Sequence, residues 1–399
     1  MFSGVFCKDD AVIREVLSKT GYKAITDNEV AAKAGKISGM SESKIRQAFS
    51  AKTSVFNRFT HEKERSVAYL RRALAEIMAE DNLIIAGFSG MLIPETITHA
   101  LKICLIADLK SRAAVAAETL KLSEKEALNT IHKQDEDRTA WISTIFDRKD
   151  PWSAALYDII IPTDKMSAEE AAQFIANKAK DDVVKFTESS KKAIRDFMLA
   201  SDVEAALAGE GHHVGVTAND GHIVITINKH VLMLGRLEEE LKSAAGNVKD
   251  VKSVETRVGQ GYYQADIYRK YDFEVPSRVL LVDDEREFVQ TLSERLMMRD
   301  MGSAVAYDGE SALNMVRDED PEVMILDLRM PGIDGIEVLR RVKESHPNIE
   351  VIILTGHGSE EDREVCMKLG AFAYLQKPVD IEVLSKTLKD ANEKIRQKK

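Results

Sequence analysis

The 399-residue sequence predicts an α/β protein built from a parallel α/β domain at residues 1–181, a small α+β segment at 182–262 and a five-stranded (βα)5 domain at 278–399, with a linker at 263–277. Three observations predict it. Short apolar runs ("NLIIAG", "KICLIA", "DIIIPT", then "VLLV", "VMIL", "VIIL") alternate with helical stretches, the pattern of parallel sheets buried on both faces. An Asn219-Asp220-Gly221 turn between two alternating runs signals a hairpin in the middle segment. Ahead of Pro276, "GQGYYQADIYRKYDFEVPS" has two glycines, no helical period and five aromatics (Tyr262, Tyr263, Tyr268, Tyr271, Phe273), and reads as a linker whose rings pack on neighbouring modules. An aromatic platform for a nucleic-acid base needs a basic groove, which this acidic stretch does not offer.

Composition narrows the class. Hydrophobic residues at 44% and charged residues at 31% are ordinary for a soluble globular chain. No apolar run is long enough to span a bilayer, and the N-terminus does not read as a signal peptide. Three cysteines, Cys7, Cys104 and Cys366, lie far apart without a CxxC, which argues against disulfides and zinc and predicts a cytoplasmic location. A net charge of −10 disfavours a broad nucleic-acid surface, so no nucleic-acid partner is expected.

In the C-terminal domain strands are predicted at Val279–Val282, Ser303–Ala306, Val323–Leu326, Val351–Leu354 and Ala373–Leu375, with helices including Glu285–Arg299, Gly335–Ser345 and Ser359–Leu369. Ser359 with Asp362 reads as an N-terminal cap, and a last helix carries Ile381, Leu384, Leu388 and Ala391 on one face. Ligands bind at the carboxyl ends of such strands. There stand Asp283-Asp284-Glu285 after the first strand, Asp327 after the third, Thr355 after the fourth and Lys377-Pro378 after the fifth. Several carboxylates share a small site only when a cation neutralises them, and an all-oxygen site with few protein ligands suits Mg²⁺. Lysine and a threonine hydroxyl suit the remaining oxygens of a phosphoryl group.

"VLLVDDE", "VMILDLRMPGIDG", "VIILTGHG" and "AYLQKPVD" together resemble the flavodoxin-like receiver domain of two-component response regulators, from Arg278 to about Arg396. The resemblance implies that Asp327 accepts a phosphoryl group from a phosphohistidine. It implies Mg²⁺ on Asp283, Asp284, Asp327 and the Arg329 backbone carbonyl. Thr355 and Tyr374 match the switch pair, Lys377 the phosphate-binding lysine, and Pro378 a residue that follows a cis peptide bond. His357 and Arg329 stand where side chains tune phosphate lifetime in that family.

In the N-terminal region helices are predicted at Asp10–Lys19, Ser41–Ser50, Thr60–Glu80, Ser111–Glu118, Ser123–Phe146 and Ser167–Ala179, with capping boxes at Ser123/Glu126 and Ser167/Glu170. "ITDNEVAAKAGKISGMSES", "LIIAGFSG", "CLIADLKSRAAVAAE" and "LSEKEALNTIHKQDEDRTAWISTIF" are similar to the cytidylate-kinase-like family of P-loop proteins, over about Met1 to Lys180. On that resemblance Asp27, Arg112, Asp135 and Arg138 match nucleotide-site positions. The departures point away from catalysis. A phosphate loop needs small residues whose backbone N–H groups face an anion, whereas "GVFCKDDA" offers bulky residues followed by Asp9 and Asp10. Gly35-Lys36 is no Walker motif, and Gly87-Phe88-Ser89 stands where the family has Gly-Arg-Gly. This counts against binding of ATP or CMP and predicts a pseudokinase scaffold.

The middle segment, with "VGVTANDGHIVITI" followed by "GNVKDVKSVETRV", resembles the small BON domain, an interaction module in its family. His212, His213, His222 and His230 lack cysteine partners and an HExxH helix, so they read as solvated rather than metal-binding. The expectation for the whole is a response regulator phosphorylated by a histidine kinase or phosphotransfer protein. It would form a homodimer through the receiver or signal to an unidentified downstream protein, with no catalysis beyond its own phosphotransfer. The alternatives are a phosphorylation-regulated nucleotide kinase and an adaptor whose receiver only dimerises.

Overall fold

The structure is a computed structural model that describes residues 1–52, 57–229, 231, 234–259, 262, 276, 278–297, 299, 301–356 and 358–398, with the backbone alone at 58, 59 and 398. Contacts divide the chain into two units, Met1–Thr53 with Glu62–Tyr268 and Ser54–His61 with Arg269–Lys399. Among the described residues no helix is long and apolar enough to cross a membrane. His230, His357 and the aromatic residues Tyr263, Tyr268, Tyr271 and Phe273 lie outside the described residues.

The elements run β1 (Phe2–Ser3), α1 (Asp9–Thr20), β2 (Lys23–Thr26), α2 (Asp27–Ser38), α3 (Glu42–Gln47), α4 (Asn57–Thr60), α5 (Glu62–Ile77), β3 (Leu83–Ala86), β4 (Ile103–Ile106), α6 (Leu109–Leu120), α7 (Glu124–Phe146), β5 (Ile159–Pro162) and α8 (Ala168–Lys178). Strands β1, β4 and β5 pair in parallel, as do β2 and β3. Met1 ties the two groups together: its nitrogen donates to Ile85 O at 2.6 Å and its carbonyl accepts from Gly87 N at 2.9 Å. The strand order is therefore β2-β3-β1-β4-β5, a parallel sheet with helices on both faces. Alternation along the strands sends Ile84, Ile103, Leu105 and Ile161 to a core with α1 and α8. Ile25, Ile85 and Cys104 face a core with α2, α5 and Trp141 of α7.

Capping chemistry sets the helix starts. Ser123/Glu126 and Ser167/Glu170 form the predicted capping boxes, and Thr26/Glu29 forms a third, which starts α2. The sequence reading did not single out α2, and Gly35-Lys36 falls inside it. At its first residue the Asp27 carboxylate turns back to accept from Phe88 N at 2.8 Å and Ser89 N at 2.7 Å. A side chain at Gly87 would run into that carboxylate, and Gly87 has φ +109°, so glycine is required on both counts.

The unit continues with α9 (Glu188–Gly209), β6 (Gly215–Asn219), β7 (His222–Ile227), α10 (Leu234–Gly246) and β8 (Ser253–Val258). Asp220 and Gly221, both at positive φ, turn β6 into antiparallel β7, as predicted, and β8 adds in parallel. Ile223, Ile225 and Ile227 pack on Leu237 and Leu241 of α10 and on Val203 and Leu207 of α9. The first half of α9 puts Ile194 and Phe197 into the core shared with α2 and α5. The segments predicted at 1–181 and 182–262 thus lie in one unit, and the first half of α9 belongs to the core of the segment before it.

The second unit contains β9 (Val279–Val282), α11 (Arg286–Met297), β10 (Ser303–Ala306), α12 (Gly309–Glu319), β11 (Val323–Leu326), α13 (Gly335–Ser345), β12 (Glu350–Thr355), α14 (Glu360–Lys368), β13 (Ala373–Gln376) and α15 (Ile381–Lys398). All five strands are parallel in the order β10-β9-β11-β12-β13. Val279, Leu281, Val323, Ile325, Ile352 and Leu354 face α11 and α15. Leu280, Val282, Met324, Leu326, Val351 and Ile353 face α12, α13 and α14. Leu384, Leu388 and Ala391 of α15 are buried, as their spacing predicts.

Asp27→Ala leaves two N–H groups of the 88–89 turn without their acceptor, each worth roughly 1–3 kcal/mol. The expected outcome is a clearly lowered denaturant midpoint for the N-terminal unit, followed by circular dichroism, with a smaller loss for Asp27→Asn, which keeps one acceptor oxygen.

Candidate functional site

The register of the second unit lines up the strand tips. Leu326 pairs with Val282 and with Ile353, and Thr355 pairs with Gln376. One residue further on, Asp327 N donates to Val282 O and Lys377 N to Thr355 O, both at 2.9 Å. By this register Asp283 and Asp327 leave the sheet at the same level, Thr355 one residue further along and Lys377 two residues further, and the two aspartates are buried (Asp283 4% and Asp327 5% exposed). The Lys377-Pro378 peptide is cis.

The Lys377 ammonium occupies the centre. Its Nζ lies 2.6 Å from Asp283, 3.1 Å from Glu285 and 3.3 Å from Asp327, and 4.5 Å from the centre of the Phe288 ring. Burial pushes the Asp283 carboxyl up, against the pull of Lys377. Burial alone would lower Lys377, but its bond to Asp283 and the charges of Asp283 and Asp327 outweigh that and raise it. Asp283 Oδ1 accepts from Glu285 N at 2.9 Å, and Asp327 Oδ1 accepts from Leu328 N at 2.7 Å and Arg329 N at 3.5 Å. Gly335, at the start of α13, sits against the Asp327 carbonyl and Leu328 Cα, an approach that any side chain would block.

Among the described residues, Asp283, Glu285 and Asp327 are the one group of His, Cys, Asp or Glu side chains placed to share a metal ion, with ligand oxygens within 4.8 Å of one another. Three carboxylates facing one ammonium form an oxygen donor set with surplus negative charge, which fits a hard divalent cation such as Mg²⁺. Of the predicted ligands the structure brings Asp283 and Asp327 together, while Asp284 is exposed and outside the group. Glu285 takes the third place, a role that the sequence reading did not give it. Its only signal there was adjacency to the aspartate pair. Arg329 reaches Asp362 with its guanidinium at 3.8 Å.

Thr355 is fully buried at the end of β12. Tyr374 lies beside it: a side chain at Gly358 would meet both the Tyr374 hydroxyl and Thr355 Cγ2. Among the described residues the buried Tyr374 hydroxyl has no hydrogen-bond partner.

The N-terminal candidates are placed quite differently. Arg112, 7% exposed, pairs with Asp135 at 2.7 Å and donates from Nε to the Val5 carbonyl at 2.8 Å. Arg138 donates to the Ser3 carbonyl at 2.6 Å and to Gln134 O at 2.9 Å. The loop after β1 thus turns carbonyls towards two cations, the reverse of an anion-binding loop. Phe6 and Lys8 adopt positive φ there, and a side chain at Gly4 would meet Cys7 Sγ at 2.8 Å and Arg112 Cζ at 3.5 Å. Asp9 and Asp10 occupy the first turn of α1, and Ser3 Oγ donates to Asp9 at 2.8 Å. Asp27, its carboxyl raised by burial, holds the 88–89 turn instead of joining the arginines.

Comparison with known proteins agrees with the receiver and the cytidylate-kinase-like resemblances. Residues 279–389 match the model of the response regulator receiver domain, and residues 4–165 match that of the cytidylate kinase-like family. The transcriptional regulatory protein CpxR of Escherichia coli (strain K12) is 42% identical over 102 residues, 26% of this chain and 43% of that one. The response regulator MprA of Mycobacterium avium (strain 104) is 34% identical over 107 residues, 27% of this chain and 47% of that one. The chain spans less than half the length of these curated relatives. Among solved structures, a receiver domain protein (CheY-like) from Methanospirillum hungatei JF-1 is 24% identical, with a TM-score of 0.30 over 31% of this chain and 98% of that one. A receiver domain protein from Clostridium thermocellum is 32% identical, with a TM-score of 0.30 over 30% of this chain and 98% of that one. The chain therefore joins a cytidylate kinase-like segment at residues 4–165 to a two-component response regulator receiver domain at residues 279–389.

Proposed function

We propose that the chain is a response regulator that takes a phosphoryl group on Asp327 from the phosphohistidine of a histidine kinase or phosphotransfer protein. The observation that carries this is the convergence of Asp283, Glu285 and Asp327 on Lys377 at the strand ends. An Asp327 oxygen attacks phosphorus; the P–O bond forms as the P–N bond breaks, and the histidine ring leaves with the electron pair and takes up a proton. Mg²⁺ held by Asp283, Glu285 and Asp327, with Asp284 and the Arg329 carbonyl as the further ligands that the family resemblance implies, would offset charge on the phosphoryl oxygens. Lys377 already lies within reach of Asp327 and passes from carboxylate to phosphoryl oxygen. The Thr355 hydroxyl donates to a second phosphoryl oxygen. Its shift opens space for Tyr374, whose hydroxyl gives up no hydrogen bond on moving.

The N-terminal region is the non-catalytic output in this proposal. Arg112 and Arg138 spend their donors on Val5, Asp135, Ser3 and Gln134, so the cations that would position phosphates are engaged within the chain. Residues 182–262 serve as a BON-like interaction module, supported by the order α9-β6-β7-α10-β8. Phosphorylation alters receiver dimerisation or the contacts available to a downstream protein.

Incubated with acetyl phosphate and Mg²⁺, the wild-type chain should gain a phosphoryl group detectable by intact-mass measurement and lose that gain when the metal is chelated. Asp327→Asn should gain none; labelling of that variant at the wild-type level would reassign the acceptor. In thermal-shift titrations with ATP or CMP and Mg²⁺, the full chain should show no saturable stabilisation. Saturable binding together with phosphotransfer between nucleotides would establish a kinase instead.

A further inference from the structure

A cavity of about 180 Å³ lies near the amino ends of β3 and β4, within the N-terminal unit. Its wall is mainly apolar, with Val16 of α1, Met78, Ile84 of β3, Ile93, Leu101 and Ile175 of α8, and polar side chains such as Thr20, Asn82 and Lys102 complete it. Arg112, Asp135 and Arg138 do not line it, although Gly87 of the Gly87-Phe88-Ser89 turn does. An aliphatic cavity of roughly 150 Å³ stays dry and accepts benzene, so this one has room for a ring with a few extra atoms.

One polar atom in the wall lacks a partner. His99 lines the cavity, and among the described residues its buried Nδ1 has no hydrogen-bond partner. Its ring sits edge-on to Phe186, with centroids 5.5 Å apart. Burial lowers the pKa of the imidazole, against the pull of Asp81, which keeps it neutral near pH 7. A buried, unpaired nitrogen is costly unless something fills the space beside it and bonds to it. The acidic groups in the wall are already engaged: Glu80 lies 3.7 Å from Lys23, and Asp81 accepts from Asn82 N at 2.7 Å. Lys102 also lines the cavity, and Glu80 and Asp81 in the same wall offset its positive charge and disfavour an anion.

We propose that this cavity binds a small neutral molecule with a ring-sized apolar body and one hydroxyl or N–H group, which donates to His99 Nδ1. With the ring proton on Nε2, Nδ1 is an acceptor. A mainly apolar pocket with a few polar groups that fix orientation is the usual form of a small-ligand site. This places a chemical input in the same polypeptide as the receiver.

The test is a thermal-shift titration of the full chain with p-cresol, toluene and benzoate. The expected result is saturable stabilisation by p-cresol, an affinity for toluene weaker by roughly three- to tenfold, as for one net hydrogen bond, and none for benzoate. His99→Phe should bring p-cresol to the level of toluene, and Ala100→Phe, at the cavity wall, should remove both. Absence of saturable binding by p-cresol and toluene to the wild-type chain would overturn the proposal, whether or not the variants fold. So would a preference for p-cresol that survives His99→Phe, or benzoate binding as tightly as p-cresol.

Discussion

The receiver depends on one electrostatic constraint: three carboxylates brought together by the strand register must share one ammonium. β9 and β11 are neighbours, so Asp283 and Asp327 leave the sheet side by side, and Glu285 follows at once. Lys377 stands two strands beyond β11, and only a long side chain leaning across the Thr355 position reaches all three. Shorter chains would leave the carboxylates to repel one another at a buried edge. The two-sided core beneath is what holds the register, because a slip by one residue would exchange its apolar faces.

The N-terminal sheet has the same parallel logic, but charge is used in the opposite sense there. Guanidinium groups of Arg112 and Arg138 lie against carbonyls of the loop after β1, and aspartates fill the first turn of α1. Each of these contacts satisfies a polar group that would otherwise need water or a ligand. The positive end of the α1 dipole meets its own side-chain carboxylates. One chain thus carries one pocket whose charges remain unbalanced and one whose charges are balanced internally.

How much of this was legible in the sequence follows from how local each signal is. The receiver tips were legible because each polar residue directly follows an apolar run, and the observed strands differ from the reading only at the ends of β12 and β13. Caps at Ser123, Ser167 and Ser359 were legible because both partners sit three residues apart. Helix α2 was not, since "DNEVAAKAGKIS" has few large apolar residues, and its stability comes from Val30, Ala31 and Ala34 packing into a distant core. The role of Asp27 was hidden for the same reason: its partners, Phe88 and Ser89, lie about sixty residues away. Two-residue β1 carries no periodicity at all, and the pairing of Phe2 with Cys104 and of Ser3 with Leu105 defines it.

Helix α9 has a consequence for how the N-terminal unit can be divided. Its first half contributes Ile194 and Phe197 to one core and its second half Val203 and Leu207 to another. A continuous helix is cooperative along its length, so loosening at either end removes packing from both cores. The kinase-like and α+β parts therefore behave as two rooms with a common beam. A cut on either side of that beam takes a wall from one of them, so the natural dissection keeps residues 1–209 or 188–258 whole and accepts α9 in both.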